Sequence, residues 1–302
     1  MASSQVDVSI IIPCYNGMRT LTQCLDSLIA LDPLSPPHEI IVVDNGSTDG
    51  SVEVIKTYKE VTLLYEHTIQ GPAAARNTGV RGSHGAILAF IDIDCIATPR
   101  WLIESFSAFD DPLVVGAGGR IEGSVPKNEI QQWMNDAKIL DQERTLNNSF
   151  MPFVQTANAL FRKDAFLAIE GFDIGLISGE DCDLSWRIQK VSGGRLAYCP
   201  DALVYHDHRA SMKGVYRQSR TNAMAGALIA KKWKGSLSKK SWKTSVWECW
   251  DLLLSGLRLI GTYLTFQDKG KRINKRLDFL NRFGRKEGMI RSAIKTRQWS
   301  QW

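Results

Sequence analysis

Glu39-Ile40-Ile41-Val42-Val43-Asp44-Asn45-Gly46-Ser47-Thr48-Asp49-Gly50 reads as a buried strand running straight into a polar turn. Its apolar run ends at a carboxylate, and the Asn-Gly and Asp-Gly pairs beyond it are turn formers. Further out, Val8 to Ile12 is a second apolar run, stopped by Pro13. Between the two, Leu21, Leu25, Leu28 and Ile29 recur near helical spacing, and Val52 to Tyr58 predicts another helix with Asp49 or Ser51 as its cap. A third run, Ala86 to Ile91, leads into Asp92-Ile93-Asp94. Strand, helix, strand, helix, strand predicts an α/β sheet covered by helices, with ligands at the loops beyond its strand ends.

Later segments are less regular. Thr156 to Phe166 passes from an apolar stretch into Arg162-Lys163-Asp164, Gly179 to Arg187 enters a helix, and Tyr198 to Arg209 reads as a late strand and loop. The chain of 302 residues is 44% hydrophobic and 23% charged, which fits a folded domain rather than a disordered chain. Six cysteines at 14, 24, 95, 182, 199 and 249 form no CxxC pair, so they predict buried thiols rather than a structural zinc site. The N-terminal segment lacks the pattern of a secretory signal, so a cytoplasmic setting is expected. No GxGxxG or GxxxxGK[S/T] pattern occurs, which argues against a dinucleotide enzyme or a P-loop nucleotidase.

Charge divides the chain. Residues 1–208 hold 15 Lys or Arg against 27 Asp or Glu, whereas residues 209–302 hold 22 against 5. An acidic domain over 1–210 followed by a basic, mainly helical extension over 211–302 is the expected organisation.

The acidic part contains the candidate chemistry. Asp92 and Asp94 share a face if the chain stays extended, and such a carboxylate pair suits Mg2+ or Mn2+ bound to a diphosphate. Taken alone, Asp-X-Asp reads as a solvated strand end before it reads as a metal site. Asp44 is placed to accept hydrogen bonds from a nucleotide base or ribose, or simply to cap its own turn. Arg76 and Asn77, in Gly71-Pro72-Ala73-Ala74-Ala75-Arg76-Asn77, open a small-residue helix and can orient a nucleotide, although an isolated arginine there reads as a surface residue. In Gly179-Glu180-Asp181-Cys182-Asp183, Asp181 is the candidate general base, with Glu180 beside it for the acceptor. His206 and His208 alternate, and His206 is positioned to complete a metal shell begun by Asp94 or to serve as a structural histidine.

Together, and in this order, Val8 to Asn16, Ile41 to Asp49, Gly71 to Asn77, Phe90 to Asp94 and Gly179 to Leu184 resemble family 2 glycosyltransferases with the GT-A fold. The resemblance spans roughly residues 8–209 and implies a nucleoside diphosphate sugar donor and a metal-dependent, inverting transfer to a hydroxyl of a glycan or lipid-linked acceptor. It assigns donor contacts to Pro13, Tyr15, Asp44, Arg76, Asn77 and Asp92, metal contacts to Asp94 and His206, the catalytic base to Asp181, and acceptor contacts to Glu180, Asp183 and Trp186. Cys95 departs from the pattern, since many relatives carry an acidic residue there. A noncatalytic sugar-nucleotide or polyanion-binding protein is the competing expectation.

The basic extension lies beyond the resemblance. Lysines over 231–243 precede an amphipathic segment over 247–266 that carries Trp247, Trp250 and a row of leucines, and cations over 269–276 follow it. Residues 231–276 are therefore expected either to attach peripherally to an anionic cytoplasmic membrane or to pack their apolar side on the catalytic domain or another subunit with the cations left hydrated. Interleaved Lys and Trp also fit nucleic acid, the less favoured partner.

Overall fold

A computed structural model of the chain describes residues 6–176, 178–233, 254–257, 260 and 269–296. The chain divides into two compact units: Met1–Ser124, Lys138–Gly175 and Glu180–Asp207 form the first, and Val125–Ala137, Leu176–Gly179 and His208–Trp302 the second. The sequence reading left 125–137 and 176–179 in the first domain. Most of the amphipathic segment over 247–266 lies outside the described residues.

The first unit holds β1 (Val8–Cys14), α1 (Leu21–Ile29), β2 (His38–Asp44), α2 (Ser51–Ile55), β3 (Val61–Tyr65), α3 (Pro72–Arg81), β4 (Ile87–Ile91), β5 (Cys95–Ala97) and α4 (Trp101–Phe106). It continues, after β6 (Val114–Gly123), with α6 (Gln142–Leu146), β7 (Asn158–Arg162), α7 (Lys163–Ala168), α8 (Glu180–Ser192) and β8 (Arg195–His206). The second unit holds α5 (Glu129–Asp136), α9 (Met212–Lys232) and α10 (Lys269–Thr296). The eight strands form one mixed sheet ordered β3-β2-β1-β4-β7-β6-β8-β5. Strands β3, β2, β1 and β4 run parallel, and β7 pairs antiparallel with β4 and β6.

Uninterrupted apolar runs form the parallel strands because both sheet faces are covered. Ile10 and Ile12 belong to one apolar cluster and Ile11 to another, as alternation across a strand requires. On the second face α3 approaches closely: a side chain at Gly79 would collide with Ile11, and Ala73, Ala74 and Ala75 are buried. Strand β1 runs two residues past the expected stop at Ile12. The Cys14 carbonyl accepts from Asn45 N at 2.8 Å, so Pro13, one residue earlier, turns its missing N–H toward β4, whose pairing has already ended at Ile11 and Phe90. No ladder bond is lost there.

Two expectations change. Strand β3, absent from the sequence reading, adds a sheet edge beside β2. The residues after β4 do not stay extended: Cys95 N donates to Asp92 O at 3.0 Å in a turn that starts β5, so Asp92 and Asp94 follow no strand alternation.

Asn158 ties the sheet together. Its Oδ1 accepts from Trp101 Nε1 at 2.8 Å, and its Nδ2 donates to Arg120 O and Ala202 O at 2.9 and 2.8 Å, linking α4, β6 and β8. The residue is fully buried. Asn158→Ala should destabilise the protein by about 2–4 kcal/mol, because the Trp101 and Ala202 groups lose their partner inside the core and Arg120 O loses one nearer the surface; chemical denaturation measures this, and a loss below about 0.5 kcal/mol would refute the linking role.

In the second unit, α9 and α10 pack with glycine at the contact: a side chain on Gly288 would meet Arg220 O. Trp133 Nε1 of α5 donates to Asp278 of α10 at 2.9 Å. Among the described residues no helix is long and apolar enough to cross a membrane.

Candidate active site

Strand order reverses where β1 lies between β2 and β4, and ligands of such sheets gather outside the carboxyl ends of the strands at that point. The loops leaving β1 and β2 are bound to each other there. Asn16 N donates to Ser47 Oγ at 2.9 Å, Gly17 N to Ser51 Oγ at 3.0 Å, Met18 N to Asp49 Oδ2 at 3.0 Å, and Thr48 N to Asn16 Oδ1 at 2.8 Å. Asp49 and Ser51 thus do more than start α2, whose capping position is Gly50 at φ +86°. Tyr15 is exposed beyond half-buried Pro13.

Asp44 ends β2 with its carboxylate turned back on its own loop. It accepts from Gly46 N at 3.1 Å and Ser47 N at 3.2 Å, and His67 Nε2 lies 3.0 Å away. Burial opposes its ionisation, but the Ser47 hydroxyl, His67 and the loop amides outweigh burial and hold the carboxyl below its ordinary value. This fixed acceptor borders a cleft of about 450 Å³ that Thr48, Glu53, Lys56, Tyr65 and His67 also line.

Arg76 is only 3% exposed, contrary to the surface reading of an isolated arginine. Its Nη2 donates to Asp92 Oδ1 at 2.6 Å and its Nη1 to Glu180 Oε1 at 3.0 Å, while its guanidinium lies 5.7 Å from the Phe172 ring centroid. Burial works against this charge, and Asp92 and Glu180 more than restore it, so its pKa is raised. One guanidinium therefore joins carboxylates 88 residues apart in sequence at the mouths of β4 and α8. Asp181, next to Glu180, accepts from Cys182 N at 2.7 Å. Burial first, and then the Glu180 charge, push its carboxyl up to about 7, because Cys182 N and Arg76 offset them only in part. A carboxyl poised near neutrality can take a proton from a hydroxyl without being saturated with protons itself.

On the other side of Asp92, Asp94 Oδ1 lies 3.4 Å from His206 Nε2 at the end of β8. Cys95 pairs directly with His206 across β5 and β8, and one ligand atom from each of Asp94, Cys95 and His206 lies within 4.8 Å of the others. Oxygen, nitrogen and sulfur together fit a first-row transition-metal dication better than Mg2+. Asp207 N donates to Asp94 O at 2.8 Å, and the Asp207 carboxylate forms an ion pair with Arg19 of the β1 loop.

The family model described as Glycosyl transferase family 2 matches residues 9–169, more than half of the chain. This chain belongs to glycosyl transferase family 2. A second model, Glycosyl transferase family group 2, matches residues 124–267. Glycosyltransferase AglE of Haloferax volcanii is 32% identical over 214 residues, 69% of this family 2 chain and 69% of that protein. Pre-mycofactocin glycosyltransferase of Mycobacterium tuberculosis is 33% identical over 217 residues, 70% of this chain; the chain spans 44% of that relative's length. The mannosyltransferase PcManGT of Pyrobaculum calidifontis, solved in complex with GDP-Man and Mn2+, superposes with a TM-score of 0.61 at 18% identity, covering 97% of this chain and 87% of that one. That likeness shows a shared GT-A fold.

Within the family 2 chain, the expected site residues separate into two groups. At the strand mouths, Arg76, Asp92, Glu180 and Asp181 form one cluster, Asp94 and His206 form a second two residues along the chain from Asp92, and Asp44 stands at the end of β2, which pairs with β1 alongside Pro13. Asn77, Asp183 and Trp186 are engaged elsewhere. Asn77 Nδ2 donates to Phe172 O at 2.9 Å while its Oδ1 accepts from Phe172 N at 3.0 Å, so both ends of the amide hold a loop. Asp183, fully buried, pairs with Arg187 Nε at 2.7 Å, one turn along α8. Trp186 is buried against Phe150 and Phe153, and its Nε1 donates to Met151 O at 2.9 Å. Helical geometry explains this: Asp183 and Trp186 lie two and five residues beyond Asp181 and so turn about 160° and 140° away from it. Tyr65, His67, Lys56, Cys95, Arg19 and Asp207 join the site without having been expected. Finding the cleft residues requires β3, and finding the others requires the β5–β8 pairing.

Proposed function

We propose that this chain is an inverting glycosyltransferase that moves a sugar from a nucleoside diphosphate sugar to a hydroxyl of a glycan or lipid-linked acceptor. The observation that carries the reading is the Asp181 carboxyl, brought to about 7 beside the Arg76–Asp92–Glu180 cluster. The donor complex of the structural relative, with GDP-Man and Mn2+, supports the same donor class.

In this reading Asp44 and the cleft around Tyr65 and His67 receive the base, and Asp92, held by Arg76, faces the ribose. Asp181 removes the acceptor proton as the acceptor oxygen attacks the anomeric carbon. The bond from that carbon to the phosphate oxygen breaks, the nucleoside diphosphate leaves with the electron pair, and one displacement inverts the configuration. A bound divalent cation would offset the charge of the departing diphosphate, with Asp94 and His206 as its ligands. The sulfur of Cys95 favours Mn2+ over Mg2+ at that position.

The test is transfer. Full-length protein with Mn2+, a panel of nucleoside diphosphate sugars and glycan or lipid-linked acceptors should release nucleoside diphosphate with one donor. The new linkage should carry the opposite anomeric configuration to that donor. Saturable donor binding without turnover across the panel would instead favour a noncatalytic binder.

A further inference from the structure

The acidic site leaves α10 and its neighbours without a role, and their composition is unlike the rest of the chain. Lys269–Thr296 contains ten Lys or Arg and two acidic residues. Both acidic side chains are engaged within the unit: Asp278 accepts from Trp133, and Glu287 pairs with Arg291 and Arg220. The face toward α9 consists of buried Leu277, Gly284, Gly288 and Ser292. Phe283, 43% exposed, stacks on Tyr216 of α9 with ring centroids 6.1 Å apart, and Ile290 and Ile294, 52 and 57% exposed, continue along the flank it marks. Their spacing of seven and four residues returns them to one side of a helix. Leu254, Leu257 and Ile260 are exposed in the same unit, and Gly256 lies against the Phe279 ring, so a second apolar row adjoins the first. Arg276 and Arg272 extend the α10 row toward its N-terminus, one and two turns before Phe279 respectively.

We propose that this flank of α10 binds an anionic lipid surface, with Ile290 and Ile294 entering the acyl boundary beside the Tyr216–Phe283 stack and the helix cations meeting phosphate headgroups. Charge selects this occupant. A second copy would bring one strongly cationic helix against another, an arrangement that repels. Nucleic acid would satisfy the cations but not the aliphatic Ile290 and Ile294, which have no ring to stack on bases. An anionic membrane satisfies both at once, since apolar insertion and headgroup attraction add. The inference stands apart from the transferase reading, because its test uses no sugar donor.

Flotation of full-length protein with vesicles of phosphatidylcholine alone, or phosphatidylcholine mixed with phosphatidylglycerol, reads the proposal directly. Wild type should float with the anionic vesicles at low salt and remain behind with neutral ones. Ile290→Asn/Ile294→Asn and Arg272→Gln/Arg276→Gln should each weaken partitioning by about tenfold or more, the cationic pair losing more of its effect at high salt. Circular dichroism melting controls for folding, and Ile294→Asn alone, near the helix end, serves if the double variant loses helix. Equal flotation with neutral and anionic vesicles, or unchanged partitioning of both double variants, overturns the proposal. So does a change from dimer to monomer in Ile290→Asn/Ile294→Asn without any loss of flotation, or displacement from vesicles by duplex RNA that the apolar variant binds as well as wild type.

Discussion

Asp181→Asn should lower kcat by about 10²–10⁴-fold while leaving donor affinity within a few-fold of wild type, because the amide keeps the carboxylate's shape but cannot accept the acceptor proton. The wild-type pH profile supplies a second reading. With a carboxyl brought to about 7, kcat/KM should climb with pH through neutrality, and at pH 5 it should stand about a hundredfold below its plateau, following the ionised fraction. The variant should lose that limb. Stability should move the other way. A carboxyl raised from 3.8 to about 7 holds its proton more tightly in the folded state, so stability falls as pH rises through that window and stays lower above it. Asp181→Asn removes this penalty, and its melting temperature should exceed that of wild type by a few degrees at pH 8 but match it near pH 4. Near-wild-type transfer by the folded variant would remove Asp181 from the role of base. Arg76 then becomes informative, because it neutralises Glu180 and Asp92 and leaves Asp181 as the member of the cluster without a direct ion pair to the guanidinium.

The legible part of the fold was the part in which sequence neighbours determine structure. Strands β1, β2 and β4 are buried on both faces, so their apolar runs are continuous, and each ends in a turn that announces itself. Strand β3 escaped because it is a half-buried edge whose five residues mix Val, Leu, Thr and Tyr, a pattern common to edges and loops. Missing it concealed the cleft, since Tyr65 ends β3 and His67 follows two residues later. Arg76 shows the same limit in chemical form. Alone it resembles a surface helix residue, and only the convergence of Asp92 and Glu180, 16 and 104 positions away, makes its burial affordable. Asp183 is the reverse case: two residues beyond the proposed base, it is directed by the helix onto Arg187. Motif position therefore marked the candidate site, whereas helical phase and long-range pairing decided which of the expected residues cluster there.

Asp94→Ala should abolish the metal-dependent part of donor affinity. Nucleoside diphosphate binding, titrated calorimetrically with and without Mn2+, should be tightened by the ion in wild type and indifferent to it in the variant. The expected loss in the presence of Mn2+ is about 100-fold or more, since removing a direct ligand costs more than the 10–100-fold typical of removing a partner that only orients one. The substitution is well suited to this test. Asp94 is partly exposed, and the backbone bond from Asp207 N to Asp94 O does not involve its side chain, so folding should change by no more than about 1 kcal/mol. Mn2+ alone gives an independent measure. By mass action it should raise the melting temperature of wild type and leave that of Asp94→Ala unchanged. His206→Ala should reduce both effects, because its Nε2 faces the same carboxylate at 3.4 Å. Cys95→Ser separates the contribution of the sulfur: it should narrow the preference for Mn2+ over Mg2+ while preserving donor binding, since a hydroxyl replaces the softer atom with a harder one. Unchanged Mn2+-dependent affinity in folded Asp94→Ala would exclude it as a ligand and move the search for the cation's carboxylate to Asp92, whose side chain is also partly exposed.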